Sequence, residues 1–426
     1  METLTILGGG SAYTPGLLQA LIRQAGALPL RTVRLYDTDP GRLAVVSRLC
    51  SAMARSAGAP FKVQAAATLD AAIKGSALVL NSTRPGGLAA RRIDETLPLA
   101  FDIPGQETVG PGGFFYALRS VPEALRVADM MAALAPGALL LNFTNPSNIV
   151  TQALVDQGKV EVIGMCDQSD EDLAALGQAL GHVGLPEFRC NGLNHGTWYS
   201  ELNFDGAPVG PWPQALAAPP HFDAEHQLRF DYSLQLAQTE AHGSWPNSYL
   251  PYYLFPQAFV ALARSTGPRS DQVRASLPEY YAHFAEQGAA PVPHLRLFRG
   301  GRGFGDMAAD LIGALNADHA RPMVLNLPNA GATPWFADDT VVETQVRVSR
   351  HGIERQNAPD LPDSFTDLAI RLERYQRLAA RAAAGQCQVL RAAALAANPL
   401  VADDTIAAAM LGQAHLRYGD LIAWPS

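Results

Sequence analysis

Apolar positions along the first third of the chain switch repeatedly between a strand-like run and a helical period. Leu4-Thr5-Ile6-Leu7 is a short apolar run that enters Gly8-Gly9-Gly10-Ser11, after which Leu17, Leu18, Leu21 and Ile22 recur at helical spacing. The pattern predicts a strand, a glycine turn and a helix. A second strand is predicted over Val33-Arg34-Leu35-Tyr36, ending at Asp37, then a helix through Leu43, Val46 and Leu49, then a buried strand at Ala77-Leu78-Val79-Leu80. Ala138-Leu139-Leu140-Leu141 and the run Val160, Val162, Ile163 with Gly164-Met165 continue the series. Strands alternating with helices predict an α/β fold with a parallel, Rossmann-like sheet. After about residue 190 the chain turns to a mixture of Gly, Asn, aromatic residues and Pro, so a domain change is placed near 165–190. Residues 1–165 are expected to bind a nucleotide, and 166–426 to form an α+β substrate domain. Within it, 207–222 reads as a surface loop or lid, and 363–421 as a helical C-terminal portion.

Composition narrows the function classes. The 426 residues carry 32 basic and 40 acidic side chains, a formal charge of -8, so no global field draws the chain to nucleic acid or an anionic membrane. An anionic ligand needs a local basic site. The four cysteines, Cys50, Cys166, Cys190 and Cys387, show no CxxC spacing and read as reduced thiols, which favours a cytoplasmic location. Neither a signal peptide nor an 18-residue apolar run is visible.

A strand that meets a glycine turn and a helix N-terminus makes an anion site, because backbone N–H groups point outward there and glycine lets a pyrophosphate approach. Gly8, Gly9, Gly10 and Ser11 are the candidates, with Tyr13 standing where the third glycine of GxGxxG would be. Asp37 closes the second strand where a ribose-binding acid belongs. Its carboxylate accepts from a 2′-hydroxyl and repels a 2′-phosphate, which favours NAD over NADP. The alternative is a strand-end turn residue before Asp39-Pro40.

Longer blocks carry a resemblance. They are Gly8 to Pro15 (GGGSAYTP), RPGGLAARRIDE from Arg84 to Glu95, and GQETVGPGGFFYALRSVP from Gly105 to Pro122. NFTNPSN from Asn142 to Asn148, Gly164-Met165-Cys166-Asp167, GLNHGTW from Gly192 to Trp198 and LNLPNAGA from Leu325 to Ala332 follow. In this order they resemble glycoside hydrolase family 4, the NAD- and divalent-metal-dependent glycosidases, and most closely its 6-phospho-β-glucosidase branch. The resemblance implies an extended lactate/malate dehydrogenase-like fold, a cytoplasmic homodimer or homotetramer, and a small sugar or phosphosugar as the partner. Two departures leave the anomer and the substrate's charge open: Asp167 stands where that branch commonly has Asn, and Phe304 and Gly305 where the family often has Tyr and Ser.

By the same resemblance Cys166 and His195 hold the divalent metal, expected as Mn(II). Taken alone, a single Cys and a single His read as packing residues. Hydrolysis of an acetal has no net redox change, so the oxidation is transient. The implied route sends a hydride from carbon 3 of the sugar to NAD, after which the metal polarises the ketone. A base then removes the proton on carbon 2, the carbon-1 oxygen is eliminated, water adds, and the hydride returns. Tyr249, in Asn247-Ser248-Tyr249-Leu250-Pro251-Tyr252-Tyr253, is the implied base, with Tyr252 and Tyr253 left as packing residues. Asp167 either donates a proton to the leaving oxygen or orients the metal ligands from behind. Arg84, Arg91 and Arg92 supply the cation density a phosphate needs, with Arg299 and Arg302 adding to it. Asn145 and Asn148 are candidate partners for the nicotinamide or sugar hydroxyls. Cys190 and Cys387 match no ligand position and are expected in the core. The rival readings are an NAD-dependent sugar dehydrogenase that releases NADH and a non-catalytic NAD sensor.

Overall fold

The computed structural model describes residues 2–240, 243–296, 303–385 and 387–424. Thirteen strands are found among them: β1 Thr3–Leu7, β2 Thr32–Tyr36, β3 Lys62–Ala65, β4 Leu78–Asn81, β5 Leu139–Asn142, β6 Val162–Gly164, β7 Glu187–Leu193, β8 Gly196–Phe204, β9 Ala207–Pro208, β10 Trp245–Pro246, β11 Arg321–Pro328, β12 Val341–Ser349 and β13 Gly352–Arg355. Nine form one sheet in the order β13-β12-β11-β6-β5-β4-β1-β2-β3. The run from β3 to β6 is parallel, with register such as Ile6 opposite Leu35 and Leu80. The order 3-2-1-4-5-6 is the doubly wound nucleotide-binding arrangement expected from the alternating pattern.

Both faces of this sheet are covered, which is why its central strands read as continuous apolar runs rather than alternating ones. Leu4, Ile6, Leu35, Leu80, Leu141 and Ile163 lie in one core cluster with Leu17, Leu18 and Leu21 of the helix Thr14–Arg23. Leu7, Val79 and Leu140 face the other, against Phe114, Phe115 and Leu118 of the helix Gly110–Leu134. β3, with the exposed pattern of Lys-Val-Gln-Ala, gave no such run and was not legible in the sequence.

β11, β12 and β13 extend the sheet antiparallel from β6. β7, β8, β9 and β10 make a second, antiparallel sheet whose apolar face packs on the helix Ala224–Thr239 through Tyr199, Trp245, Phe230 and Leu234. Part of the 207–222 segment joins this packing: Trp212 lies 5.1 Å from Trp245, ring centroid to ring centroid. The expected C-terminal helical portion comprises the helices Asp363–Gly385, Gln388–Ala397 and Asp404–Tyr418. Cys190 is buried as expected, but Cys387 is exposed, because it stands just before the helix Gln388–Ala397 rather than on a packed face. No helix among the described residues is long and apolar enough to cross a membrane.

Candidate active site

The carboxyl ends of five parallel strands deliver most of the candidate residues to one edge of the sheet. β1 leads into Gly8–Ser11, β2 into Asp37, β4 into Arg84, β5 into Asn145 and Asn148, and β6 into Cys166 and Asp167. Crevices outside the carboxyl ends of such strands are where open α/β sheets bind ligands.

The glycine turn is shaped by close approach. Gly8 has φ +81°, and a Cβ there would lie 2.7 Å from the Ser82 carbonyl oxygen. Asp37 Oδ2 accepts from the Gly10 N–H at 2.9 Å and Oδ1 from the Asp39 N–H at 2.9 Å. Asp37 therefore also braces the turn, so its two readings are not exclusive. The Tyr281 hydroxyl caps the same turn by donating to the Gly10 carbonyl at 2.8 Å. Tyr13 begins the following helix, is 48 % exposed and lies 6.1 Å from Phe304.

Cys166 and His195 come from different sheets and meet. Cys166 follows β6, whereas His195 sits in the two-residue link between β7 and β8, where Leu193 pairs with Gly196. That tight reversal puts His195 at φ +63°, a conformation a non-glycine residue keeps only where its surroundings hold it. Here the ring stacks on Tyr249 at 3.9 Å with an interplanar angle of 16°, and Nδ1 is 3.0 Å from Thr108 Oγ1. With Nδ1 engaged, Nε2 faces Cys166 Sγ at 3.5 Å.

Two chemistries could use a thiol beside an imidazole. A cysteine nucleophile needs a thiolate–imidazolium pair. Burial pushes the Cys166 thiol well above its ordinary value, and Glu343 and Asp167 push it the same way. Burial, then the Arg229 guanidinium, lowers His195 to about 3, so the imidazole is neutral. A neutral imidazole is a metal donor, and a dication is the charge that would turn this thiol into a thiolate. Two ligands held at ~2.1–2.3 Å by one ion at a tetrahedral angle would stand about 3.6 Å apart, close to the separation found. Among the described residues no group of three or more His, Cys, Asp or Glu side chains is placed to hold a metal ion. The donor set thus fits a dication with two protein ligands and positions left open for substrate oxygens.

Asp167 is half-buried, and burial raises its carboxyl, which suits a proton donor better than a permanently charged acceptor. A Cβ on Gly303 would lie 2.8 Å from Asp167 Oδ2, so the start of the helix Gly303–Ala314 lies against this carboxylate. Tyr249 precedes the helix Leu250–Leu254; burial raises its phenol, and Arg229 opposes that rise. Tyr252 and Tyr253 do pack, with Tyr252 donating to Glu225 Oε1 at 2.7 Å.

The expected arginine cluster divides. Arg84 and Arg91 converge on Glu107: Arg84 Nη1 contacts Oε2, and Arg91 Nη1 lies 2.9 Å from Oε1. Arg91 is also paired with Glu95 at 2.7 Å. Burial would raise the Glu107 carboxyl, but the two arginines outweigh it and hold it below its ordinary value. Arg92 instead pairs with Asp271 in an exposed contact at 3.1 Å and lies outside the cluster. Arg299 and Arg302 lie outside the described residues. Asn148 donates to Gln376 Oε1 at 2.9 Å and lines a small cavity with Thr108 and His195. Asn145 is half-buried, with Oδ1 accepting from the Ser147 N–H at 3.3 Å.

Glu107, Thr108, Arg229 and Glu343 are site residues the sequence reading did not assign. Glu107 and Thr108 lie inside the block from Gly105 to Pro122, which was the available signal. Glu343 is buried and accepts from Asn194 Nδ2 at 2.8 Å, holding the residue before His195. Nothing in the sequence marks Glu343 or Arg229.

Comparison with known proteins bears on the family and the fold. The model of the "Family 4 glycosyl hydrolase" family matches residues 3–178, and that of its C-terminal domain matches 190–401. A probable 6-phospho-beta-glucosidase of Bacillus subtilis is 30% identical over 97% of this chain and 96% of its own. A 6-phospho-alpha-glucosidase from gut microorganisms, solved with NAD and Mn2+, superposes with a TM-score of 0.90 at 22% identity, covering 100% of both chains. The 6-phospho-beta-glucosidase of Thermotoga maritima, solved with NAD and glucose-6-phosphate, gives 0.85 at 24% identity, covering 99% of this chain and 100% of the other.

Proposed function

The chain belongs to family 4 of the glycosyl hydrolases, and from that premise we propose that it is an NAD- and Mn(II)-dependent, cytoplasmic 6-phospho-β-glucosidase. The observation that carries the reading is the contact of three groups from distant parts of the chain: Tyr249 stacked on His195, and His195 3.5 Å from Cys166. A base and a two-ligand dication site are thereby adjacent, as elimination next to an activated carbon requires.

When bound, NAD would supply reversible hydride acceptance at carbon 3, and the dication would supply Lewis-acid polarisation of the neighbouring sugar oxygens. Cys166 Sγ and His195 Nε2 would hold the dication, with Thr108 fixing the His195 tautomer by engaging Nδ1. The glycine turn Gly8–Ser11 lets the pyrophosphate approach closely, although the N–H groups of Gly9, Gly10 and Ser11 are themselves engaged by the Tyr36 carbonyl, Asp37 Oδ2 and the Gly8 carbonyl, and Asp37 accepts from the ribose. Tyr249 takes the carbon-2 proton. Asp167 gives a proton to the departing carbon-1 oxygen. Arg84 and Arg91 bind the substrate phosphate, with Glu107 keeping the two guanidiniums converged in its absence.

Asp167 also supports a second reading, an α-glucosidase, because it stands where the 6-phospho-β-glucosidase branch commonly has Asn. Nitrophenyl α- and β-glucosides, each with and without a 6-phosphate, assayed with NAD, Mn(II) and a thiol reductant, test both. Turnover of the phosphorylated β-substrate supports the first reading, and preference for the α-substrate the second. Stoichiometric NADH accumulation would assign a dehydrogenase instead.

A further inference from the structure

Tyr249 lies between two flat groups. His195 stacks on it at 3.9 Å, and the Arg229 guanidinium carbon stands 4.1 Å from the same ring centroid, a distance only the opposite face can accommodate. None of the hydrogen bonds found among the described residues involves the Tyr249 hydroxyl. Its direction is therefore set by where the ring is clamped.

Arg229 is built for that task. It projects from the helix Ala224–Thr239, whose start is fixed by Asp223 accepting from the His226 N–H at 3.0 Å. Its Nε donates to the Ser248 carbonyl at 3.0 Å and its Nη2 to Ser248 Oγ. The Ser248 N–H is in turn held by Asp172 Oδ2 at 2.9 Å, and Asp172 Oδ1 accepts from Gln168 Nε2 at 2.8 Å. Asn247 Oδ1 accepts from the Tyr249 N–H at 3.0 Å, completing a fixed backbone under the ring.

The choice of arginine is informative. Arg229 is 4 % exposed and forms no ion pair with the described residues. Asp172 and Glu225 stabilise this buried charge without contacting it, so its placement is not explained by an ion pair. What an apolar residue cannot do is donate two directed hydrogen bonds to Ser248 while lying against the electron-rich face of the next side chain.

We infer that Arg229 is a positioning residue for Tyr249, clamping the phenol against His195 so that its oxygen is aimed at carbon 2 of the bound sugar. This rests on the reading of Tyr249 as the base. A misplacement of about 1 Å at a reacting atom costs on the order of 100-fold in rate, and that is the loss expected on removing one side of the clamp.

The test compares Arg229→Met, Arg229→Lys and the parent enzyme, with NAD and Mn(II) bound. Arg229→Met should lower kcat about 100-fold with KM and the NAD Kd changed less than about threefold, and should enlarge the isotope effect with carbon-2-deuterated substrate. Arg229→Lys should recover part of kcat by restoring a donor and a cation. A merely structural role would lower NAD affinity and Tm without enlarging that isotope effect, and that result overturns the inference, as does an Arg229→Met enzyme of parental kcat. If Arg229→Met does not fold, Arg229→Lys decides by the same readouts: a reduced kcat with an enlarged isotope effect supports the clamp, and a parental kcat overturns it. Parent enzyme that places no deuterium on carbon 2 in deuterium oxide overturns the base assignment itself, an outcome distinct from these.

Discussion

The imidazole of His195 and the phenol of Tyr249 are parallel to within 16° and 3.9 Å apart, although one residue closes a hairpin and the other starts a short helix. This contact couples the dication site to the base. Tyr249→Phe keeps the stacked ring and deletes only the oxygen. Turnover should fall by at least about 100-fold with NAD and metal affinities unchanged, the span typical of removing a general base. Parental turnover would move the base to another residue.

Cys166 is paired with His195 across a gap suited to one ion, so Cys166→Ser should weaken Mn(II) binding, measured by titration, while NAD affinity stays within about threefold. Mild oxidation should abolish activity and dithiothreitol restore it, because the ligand must be a thiolate. Full activity after exhaustive chelation would remove the dication from the account.

The His195 imidazole gives a pH signature in the metal-free protein. Its value is lowered from 6.5 to about 3, by burial first and the Arg229 charge second. Between those values the unfolded chain binds a proton that the folded chain does not. The contribution to stability is therefore intact above about pH 6.5 and lost as pH falls towards 3, by at most about 1.4 kcal/mol per pH unit. His195→Gln should flatten the fall of Tm with acidification in that window. Parallel curves for the two proteins would contradict the burial argument.

Arg84 and Arg91 share Glu107 yet should respond differently to replacement. The Arg84 side chain is 31 % exposed, and Arg91 is 14 % exposed and also holds the buried Glu95. Arg84→Met should raise KM for a 6-phosphorylated substrate at least about tenfold, the loss of one charge-assisted contact, with little change in Tm. Arg91→Met should lower Tm as well, because it leaves a buried carboxylate without its cation. Equal effects on KM and Tm for both variants would remove Arg84 from the phosphate site.

The legible and illegible parts of the molecule divide on physical grounds. Strands β1, β4, β5 and β6 are largely buried on both faces and write themselves as apolar runs, whereas β2 alternates, with Val33 and Leu35 buried; Gly8 to Ser11 and Asp37 sit at positions fixed relative to these strands. β3 is largely exposed and β11 to β13 follow the irregular middle of the chain, so neither carried a periodic signal. Arg84 and Cys166 could be singled out from motif blocks. The pairing of Arg229 with Tyr249, or of Glu343 with Asn194, depends on segments 20 to 149 residues apart brought together by packing. The exposure of Cys387 shows the same limit: a thiol's residue type favours burial, but its place at a helix start decided otherwise.

The central claim is elimination at carbon 2 rather than direct displacement at carbon 1, and the solvent records the difference. Hydrolysis of a 6-phosphoglucoside by the enzyme with NAD and Mn(II) in deuterium oxide, followed by NMR of the product sugar, reads it in one spectrum. The account predicts deuterium on carbon 2 of the released sugar phosphate. Product with hydrogen retained at carbon 2 would contradict it, whatever the dependence on cofactor and metal.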